Sequence, residues 1–199
     1  MARNRPAGQT DSKLSQLRII GGQWRGRKLS FHATPGLRPT TDRIRETVFN
    51  WLAPFLQDAR CADLFAGSGA LGLEALSRGA AYCDFVDTSA SAVSNITEHL
   101  AMLSAQDRGL CTRAQASDFL GKARPPYDII FVDPPFDDGL AGETLALLTK
   151  YQALPADGLV YLETSSRDTA PEIPPDWTVF RQKSSGGVNY QLLLAGEQT

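Results

Sequence analysis

The second part of the chain alternates between short apolar runs and longer segments with helical spacing, and this alternation restricts the fold more than any other feature. The apolar runs predict strands at 61–66, 82–87, 110–113, 127–132 and 159–163. The intervening segments predict helices at 68–78, 89–103 and 139–152. Strands that alternate with helices in this way form a parallel sheet covered by helices on both faces. We therefore predict an α/β, Rossmann-like fold.

A hairpin and a helix are predicted before this region, and a second hairpin after it. Residues 17–20 and 28–31 flank a glycine-rich turn from which Trp24 and the basic side chains Arg25, Arg27 and Lys28 should project. A helix follows at 42–57, with Thr41 as its N-cap. Its apolar face consists of Ile44, Val48, Trp51, Leu52 and Phe55, and Arg43 and Arg45 lie off that face. Residues 177–181 and 190–195 predict a closing antiparallel hairpin, which gives seven strands in a mostly parallel sheet.

Charge is distributed unevenly along the chain. Residues 1–45 contain ten basic and two acidic residues, a net charge of +8, whereas the remaining 154 residues carry −10. A basic segment joined to an acidic body indicates that the N-terminal part meets phosphate groups. We predict a disordered basic tail at 1–16, an RNA-binding hairpin-and-helix extension at 17–58 and a cofactor-binding catalytic domain at 59–199.

The sequence lacks the features of disordered, membrane-spanning and secreted proteins. Apolar residues make up 42% and charged residues 21%, which is enough to build a core. No apolar run approaches the roughly 20 residues that a membrane span requires, and the N-terminus has no apolar signal segment. We therefore expect a cytoplasmic protein without membrane contact, and we expect no metal site.

A glycine-rich loop follows the first predicted strand of the sheet and opens a helix. Its sequence, residues 63–72, is DLFAGSGALG, in which Gly67, Gly69 and Gly72 fit the spacing G-x-G-x-x-G. Glycines permit a tight turn and close approach of a ligand at the carboxyl end of the sheet. Asp87 ends the next strand, where a carboxylate can accept the hydroxyl protons of a ribose. These features fit either a dinucleotide or S-adenosylmethionine.

Asp63 favours S-adenosylmethionine over a dinucleotide. It precedes Gly67 by four residues, and its carboxylate would repel a pyrophosphate at the helix N-terminus. S-adenosylmethionine has no phosphate and carries an ammonium and a sulfonium group, which a carboxylate attracts. Gln115, at the end of the third strand, could accept a hydrogen bond from the adenine amine. The predicted cofactor-binding residues are Asp63, Phe65, Ala66, Gly67, Ser68, Gly69, Gly72, Asp87 and Gln115.

The fourth strand ends in the tetrad Asp133-Pro134-Pro135-Phe136. Two prolines make a stiff turn, because each fixes its own φ and Pro135 also restrains Pro134. Asp133 and the Pro134 carbonyl can each accept one proton of an exocyclic amine, while Phe136 stacks on the base, a contact worth roughly 1–3 kcal/mol. The amine lone pair of guanine N2 or adenine N6 is delocalised into the ring. Two acceptors would draw the nitrogen toward a tetrahedral geometry and direct its lone pair at the methyl donor, so positioning supplies most of the acceleration.

Four runs of the chain together resemble a known family. They read RIIGGQWRGRKL, GLRPTTDRIRETVFNWL, DLFAGSGALGLEALSRGA and FVDPPF. The last two are shared with many class I amino-methyltransferases, whereas the first two are specific to the bacterial RsmD family. The chain resembles that family over residues 17–195. The resemblance implies a class I methyltransferase fold and methylation of the N2 amine of one guanine in 16S rRNA. The tetrad alone permits guanine N2 or adenine N6.

The resemblance also implies roles for individual residues. Residues 63–72 would surround the methionine half of the cofactor, Asp87 the ribose and residues 133–136 the target base. The family often has Glu at the position of Asp87, and Asp or Asn at that of Gln115. RNA phosphates would be contacted by Arg25, Arg27, Lys28, Arg38, Arg43 and Arg45. The implied partner is 16S rRNA within the small ribosomal subunit or its assembly intermediate, and we expect a monomer.

The residues alone leave three alternative functions open. The first is an adenine-N6 methyltransferase acting on DNA or RNA, which would use the same tetrad. The second is a non-catalytic RNA-binding protein of ribosome assembly that keeps the fold without the reaction. The third is a nicotinamide-dependent oxidoreductase, since the glycine spacing also fits a dinucleotide.

Overall fold

The structure is a computed structural model that describes residues 14–32, 41–122, 124–136 and 139–196, without the side chains of Leu14 and His32. The strands are β1 (Leu14–Arg18), β2 (Lys28–His32), β3 (Arg60–Asp63), β4 (Tyr82–Asp87), β5 (Gly109–Arg113), β6 (Ile129–Val132), β7 (Leu159–Ser165), β8 (Thr178–Ser185) and β9 (Val188–Leu194). The α-helices are α1 (Asp42–Leu52), α2 (Ala70–Ser77), α3 (Ala90–Met102), α4 (Ala116–Leu120) and α5 (Leu140–Lys150). Short 3-10 helices lie at Ala53–Phe55 and Gln106–Arg108.

Seven strands form one sheet in the order β5-β4-β3-β6-β7-β9-β8. The first five are parallel, and β9 and β8 extend the sheet as an antiparallel hairpin. Strands β1 and β2 form a separate antiparallel pair. The predicted Rossmann-like fold, with its seven-stranded, mostly parallel sheet and small N-terminal hairpin, is confirmed.

Some element boundaries differ from the prediction. Helix α1 ends at Leu52 and continues as a 3-10 turn, because Pro54 lacks the N–H that a longer α-helix would use. Strand β3 ends at Asp63, where the chain turns into the glycine loop. Helix α4 was not predicted, since five residues are too few to show helical spacing. The predicted N-cap is confirmed: the Thr41 hydroxyl accepts from the Ile44 N–H at 3.4 Å.

Apolar side chains fill both faces of the sheet, because alternate residues of a buried strand point to opposite sides. Ile129 and Phe131 of β6 join the core formed with α1, α2, α3 and the N-terminal hairpin. Ile130 and Val132 join the core formed with α4 and α5. The predicted helices on both faces are therefore confirmed. Within the described residues, none of the helices combines the length and the apolar character needed to cross a membrane.

The turn between β1 and β2 packs against α2. The N–H groups of Ile20 and Gly21 donate to the two oxygens of Glu74 at 2.9 and 2.7 Å, and the Trp24 N–H donates to the Ser77 hydroxyl at 3.0 Å. The Trp24 side chain is half-buried beneath the guanidinium group of Arg108, so it does not project into solvent as predicted. Arg25, Arg27 and Lys28 do project and are exposed.

Arg45 does not contact RNA phosphates, contrary to the prediction. Only 1% of its surface is exposed. One guanidinium nitrogen donates to the Arg18 carbonyl at 2.8 Å and to Asp42 at 2.6 Å, and the other lies 3.5 Å from Glu74. A buried guanidinium requires such partners, and these hold α1 against the hairpin and α2. Its neighbour Arg43 is exposed.

Replacing Glu74 by Ala should destabilise the chain by about 3–5 kcal/mol. The buried Arg45 would lose one of its two acidic partners, and the N–H groups of Ile20 and Gly21 would lose their acceptor. The free energy of unfolding from urea titration measures the effect. The control is Glu98→Ala, which removes an exposed carboxylate from α3 and should change stability by less than about 0.5 kcal/mol. Equal stability of the two variants would contradict a role for Glu74 in holding the hairpin.

Candidate active site

A cavity of about 670 Å³ lies at the carboxyl ends of the parallel strands. Its walls come from the loops after β3, β4, β5 and β6, from the end of β7 and from one side of α5. Ligands of open α/β sheets bind at this edge. The predicted site residues that line the cavity are Asp63, Phe65, Ala66, Gly67, Ser68, Asp87, Gln115, Asp133, Pro134, Pro135 and Phe136.

The parallel pairing of β3 with β6 brings the two main motifs together. Asp63 is the register partner of Phe131, and the Leu64 N–H donates to the Phe131 carbonyl at 3.1 Å. Asp133 follows Phe131 by two residues, directly after the end of β6, and it lines the same cavity as Asp63. Two motifs that are about 70 residues apart in the sequence therefore share one cavity.

The three glycines of the loop have different roles. Gly67 lines the cavity with φ at +52°, and Gly69 opens α2 with φ at +78°, which are conformations that favour glycine. A Cβ on Gly72 would lie 2.3 Å from the Phe85 ring, so this glycine permits α2 to approach β4. Gly69 and Gly72 do not line the cavity. In the structure these two glycines shape the loop and the packing of the helix, and their predicted contacts with the cofactor stay a prediction.

Asp63 is buried at the base of the cavity. One carboxylate oxygen accepts from the Gly72 N–H at 3.0 Å, and the other has no hydrogen-bond partner among the described residues. Burial, together with the neighbouring carboxylate of Asp87, raises the pKa of Asp63 to about 7. A buried acceptor oxygen without a partner at a cavity wall suits a cationic donor such as the ammonium group of S-adenosylmethionine.

Asp87 is held rigidly at the end of β4. Its two oxygens accept from the N–H groups of Gly67 and Ser89, each at 2.8 Å. Each carboxylate oxygen can accept a second hydrogen bond, so the group keeps capacity for ribose hydroxyls. Gln115 lies at the N-terminus of α4, where its exposed side chain makes no capping hydrogen bond. Asp63, Asp87 and Gln115 fit the methionine, ribose and adenine parts of the cofactor in that order.

The tetrad forms another part of the cavity wall. Pro134 is buried, Asp133 and Phe136 are half-buried and Pro135 is exposed. Phe136 also packs against the core shared by α1 and α2, which restricts its ring. All four residues line the cavity.

Several cavity residues were not predicted, namely Thr88, Ser117, Glu143, Thr144, Leu147 and Glu163. Glu163 is only 4% exposed and stands near the end of β7, the strand beside β6. It closes the predicted strand 159–163, so the rule that selected Asp87 and Asp133 would have selected it too. Thr144 and Leu147 lie within a predicted helix, where nothing in the spacing marks a cavity wall.

The predicted RNA-binding residues lie apart from the cavity lining. Arg25, Arg27 and Lys28 are exposed on the hairpin turn and the start of β2, and Arg43 is exposed at the start of α1. One nitrogen of Arg27 donates to the Met102 carbonyl at 3.2 Å, which ties the turn to the end of α3. Arg38 lies outside the described residues.

Comparison with known sequences identifies the family. A family model described as "Conserved hypothetical protein 95" matches residues 17–194. The Escherichia coli K12 protein named "Ribosomal RNA small subunit methyltransferase D" is 48% identical over 177 residues, which are 89% of each chain. The chain belongs to this family. The resemblance to RsmD is confirmed, and the chain is a methyltransferase.

Further relatives agree with this family assignment. The Haemophilus influenzae protein of the same name is 40% identical, over 92% of this chain and 96% of its own length. The solved structure of yhhF from Escherichia coli superposes with a TM-score of 0.85 at 44% identity, covering 92% of this chain and all of that chain. The fold of this RsmD-family methyltransferase therefore matches that of a relative over nearly the whole chain.

Asp63 should make stability depend on pH in a window from about pH 4 to pH 7. Its pKa is raised from 3.8 to about 7, so within that window the folded chain keeps a proton that the unfolded chain has released. The contribution of Asp63 to stability therefore falls as the pH rises, by about 4 kcal/mol in total. Urea unfolding of the wild type and of Asp63→Asn at pH 4 to 8 measures the difference. Parallel stability curves would contradict the raised pKa.

Proposed function

We propose that the chain transfers a methyl group from S-adenosylmethionine to the N2 amine of a specific guanine in 16S rRNA. The observation that carries the proposal is the shared cavity: a buried Asp63 oxygen that makes no hydrogen bond with the described residues lines the same space as the Asp133-Pro134 turn. The relatives named "Ribosomal RNA small subunit methyltransferase D" support the substrate class. The adenine-N6 alternative has no such support.

The cofactor-binding half of the cavity would bind S-adenosylmethionine through its charge and its shape. Asp63 accepts from the ammonium group, Asp87 accepts from the ribose hydroxyls, and Phe65, Ala66, Gly67 and Ser68 form the close backbone wall. When bound, the cofactor supplies a methyl group on a positively charged sulfur. The two carboxylates add negative charge around that positively charged ligand, which favours binding.

The tetrad would hold the amine. Asp133 and the Pro134 carbonyl accept one amine proton each, and Phe136 stacks on the base while Pro135 stiffens the turn. The nitrogen lone pair would then point into the cavity toward the cofactor side, from which the methyl group would be transferred to the nitrogen. Asp133 holds the surplus amine proton until it passes to water. No separate nucleophile takes part, so orientation and electrostatic complementarity supply the acceleration.

The N-terminal region would bind the RNA. Arg25, Arg27 and Lys28 are exposed, and Arg43 is exposed on the neighbouring helix. Together with Arg38, they belong to the basic extension at 17–58. This extension and the basic tail at 1–16 would contact rRNA phosphates and direct the base to the catalytic domain at 59–199. The substrate would be the small ribosomal subunit or its assembly intermediate, and the chain would act as a cytoplasmic monomer.

Nucleoside analysis of 16S rRNA tests the proposed reaction. Undermethylated rRNA, or small subunits from a strain lacking this protein, is incubated with the chain and labelled S-adenosylmethionine. The expected product is N2-methylguanosine at one position. Label in N6-methyladenosine would favour the adenine alternative, and absence of label in any nucleoside would contradict catalysis.

Asp133→Ala should lower kcat by about 100-fold or more, because one of the two acceptors for the amine is lost. Cofactor affinity, measured by calorimetry, should change little, since Asp133 contacts the base side of the cavity. The matched control is Asp168→Ala, at an exposed position in the loop after β7. Wild-type turnover by the Asp133 variant would contradict its role in the reaction.

The triple change Arg25→Ala, Arg27→Ala and Lys28→Ala should weaken RNA binding and reduce its dependence on salt. Each lost phosphate contact lowers the slope of log K against log salt by about one unit. Binding measured at 50, 100 and 200 mM salt gives the slope, and calorimetry should show little change in cofactor affinity. The same slope in variant and wild type would refute an RNA contact by this turn.

A further inference from the structure

Glu163 is a buried carboxylate next to the tetrad. It is 4% exposed and lines the cavity. It follows Leu162, the register partner of Val132, just as Asp133 follows Val132. Neighbouring strands of a sheet lie about 4.8 Å apart, so the backbones at Asp133 and Glu163 lie side by side.

Asp133 and Glu163 both line the same cavity. Side chains two residues apart on a strand point the same way, which pairs Glu163 with Tyr161 on β7. The rings of Phe131 and Tyr161 are in contact on one face, with centroids 6.3 Å apart. The pKa of the Tyr161 hydroxyl is raised, mainly by burial and then by the charges of Glu163 and Asp133. This agrees with both carboxylates lying near that hydroxyl.

Tyr161 fixes the orientation of Glu163. Its hydroxyl donates to one Glu163 oxygen at 2.6 Å, and the Tyr161 ring is fully buried. A carboxylate can accept about four hydrogen bonds, so Glu163 can accept from Tyr161 and also from a ligand in the cavity.

Guanine presents such a donor next to its exocyclic amine. The Watson–Crick edge of guanine carries the N2 amine beside N1–H, whereas adenine has an acceptor at N1. We propose that Glu163 accepts the N1–H of the target base while Asp133 and the Pro134 carbonyl hold the N2 amine. Glu163 is then the residue that selects guanine, since its carboxylate would repel the N1 lone pair of adenine. This inference rests on the proposed function and goes beyond it by naming the group that reads the base.

The test uses a base that keeps the amine but lacks N1–H. The guanine that the chain methylates is first mapped by mass spectrometry, and semisynthetic rRNA is then prepared with guanine or 2-aminopurine at that position. The wild type should use 2-aminopurine with a kcat/KM roughly 10- to 100-fold lower, the range expected for loss of one directional contact to a base. Equal use of the two bases overturns the inference.

Glu163→Gln assigns the effect to this side chain. The amide keeps the size of the group and an oxygen for Tyr161, but it presents an N–H₂ donor to the base. The variant should lose roughly 10- to 100-fold in kcat/KM on guanine. The ratio of its kcat/KM values for 2-aminopurine and guanine should rise at least tenfold, because the amide can donate to an unprotonated N1. An unchanged ratio overturns the inference.

Two controls separate recognition of the base from other effects. Glu172→Gln, at an exposed position before β8, should keep the wild-type ratio. Cofactor affinity of Glu163→Gln should match the wild type in calorimetry, and a large loss there would overturn a role confined to the base. If the wild type methylates no guanine at all, the proposed function fails and this inference with it, whereas equal use of guanine and 2-aminopurine overturns only the inference.

Discussion

The parallel pairing of β3 with β6 is the constraint on which the rest of the structure depends. It places the Asp63 carboxylate beside Phe131, and the tetrad begins two residues later. A glycine loop without this partner would be a nucleotide-binding turn of no particular chemistry, and a proline turn without it would be an ordinary strand end. Paired, they give one cavity an anionic wall for a charged methyl donor and a stiff set of acceptors for an amine.

A second set of contacts joins the basic extension to the same site. Glu74 lies on α2, the helix that starts at the glycine loop, and it accepts from the backbone of Ile20 and Gly21. Arg45 and Arg78 surround it with positive charge at 3.5 and 2.7 Å. Since one buried carboxylate ties the hairpin and α1 to α2, the proposed RNA-binding surface and the cofactor loop are held by the same short helix.

The sequence predicted the site residues that lie at the ends of the parallel strands. Asp63, Asp87 and the tetrad could be predicted because the carboxyl ends of parallel strands meet at one edge, whatever the loops between them do. Burial of individual side chains could not be predicted in this way. Arg45 looks like any basic residue of a helix start until its distant partner Glu74 is known, and Gly72 looks like a ligand-binding glycine until Phe85 packs against it. Glu163 ends a predicted strand as Asp87 and Asp133 do, so the same rule could have predicted it, but neither a glycine loop before it nor a proline turn after it marked the position.

A crystal structure of the chain with S-adenosylhomocysteine and a guanine nucleoside would test the central claim most directly. The account predicts the guanine N2 within about 3.2 Å of both the Asp133 carboxylate and the Pro134 carbonyl oxygen, a normal hydrogen-bond distance. It also predicts that the amino group of the cofactor product contacts Asp63 across the same cavity. A guanine bound elsewhere, or an Asp133 side chain directed away from the base, would contradict the account.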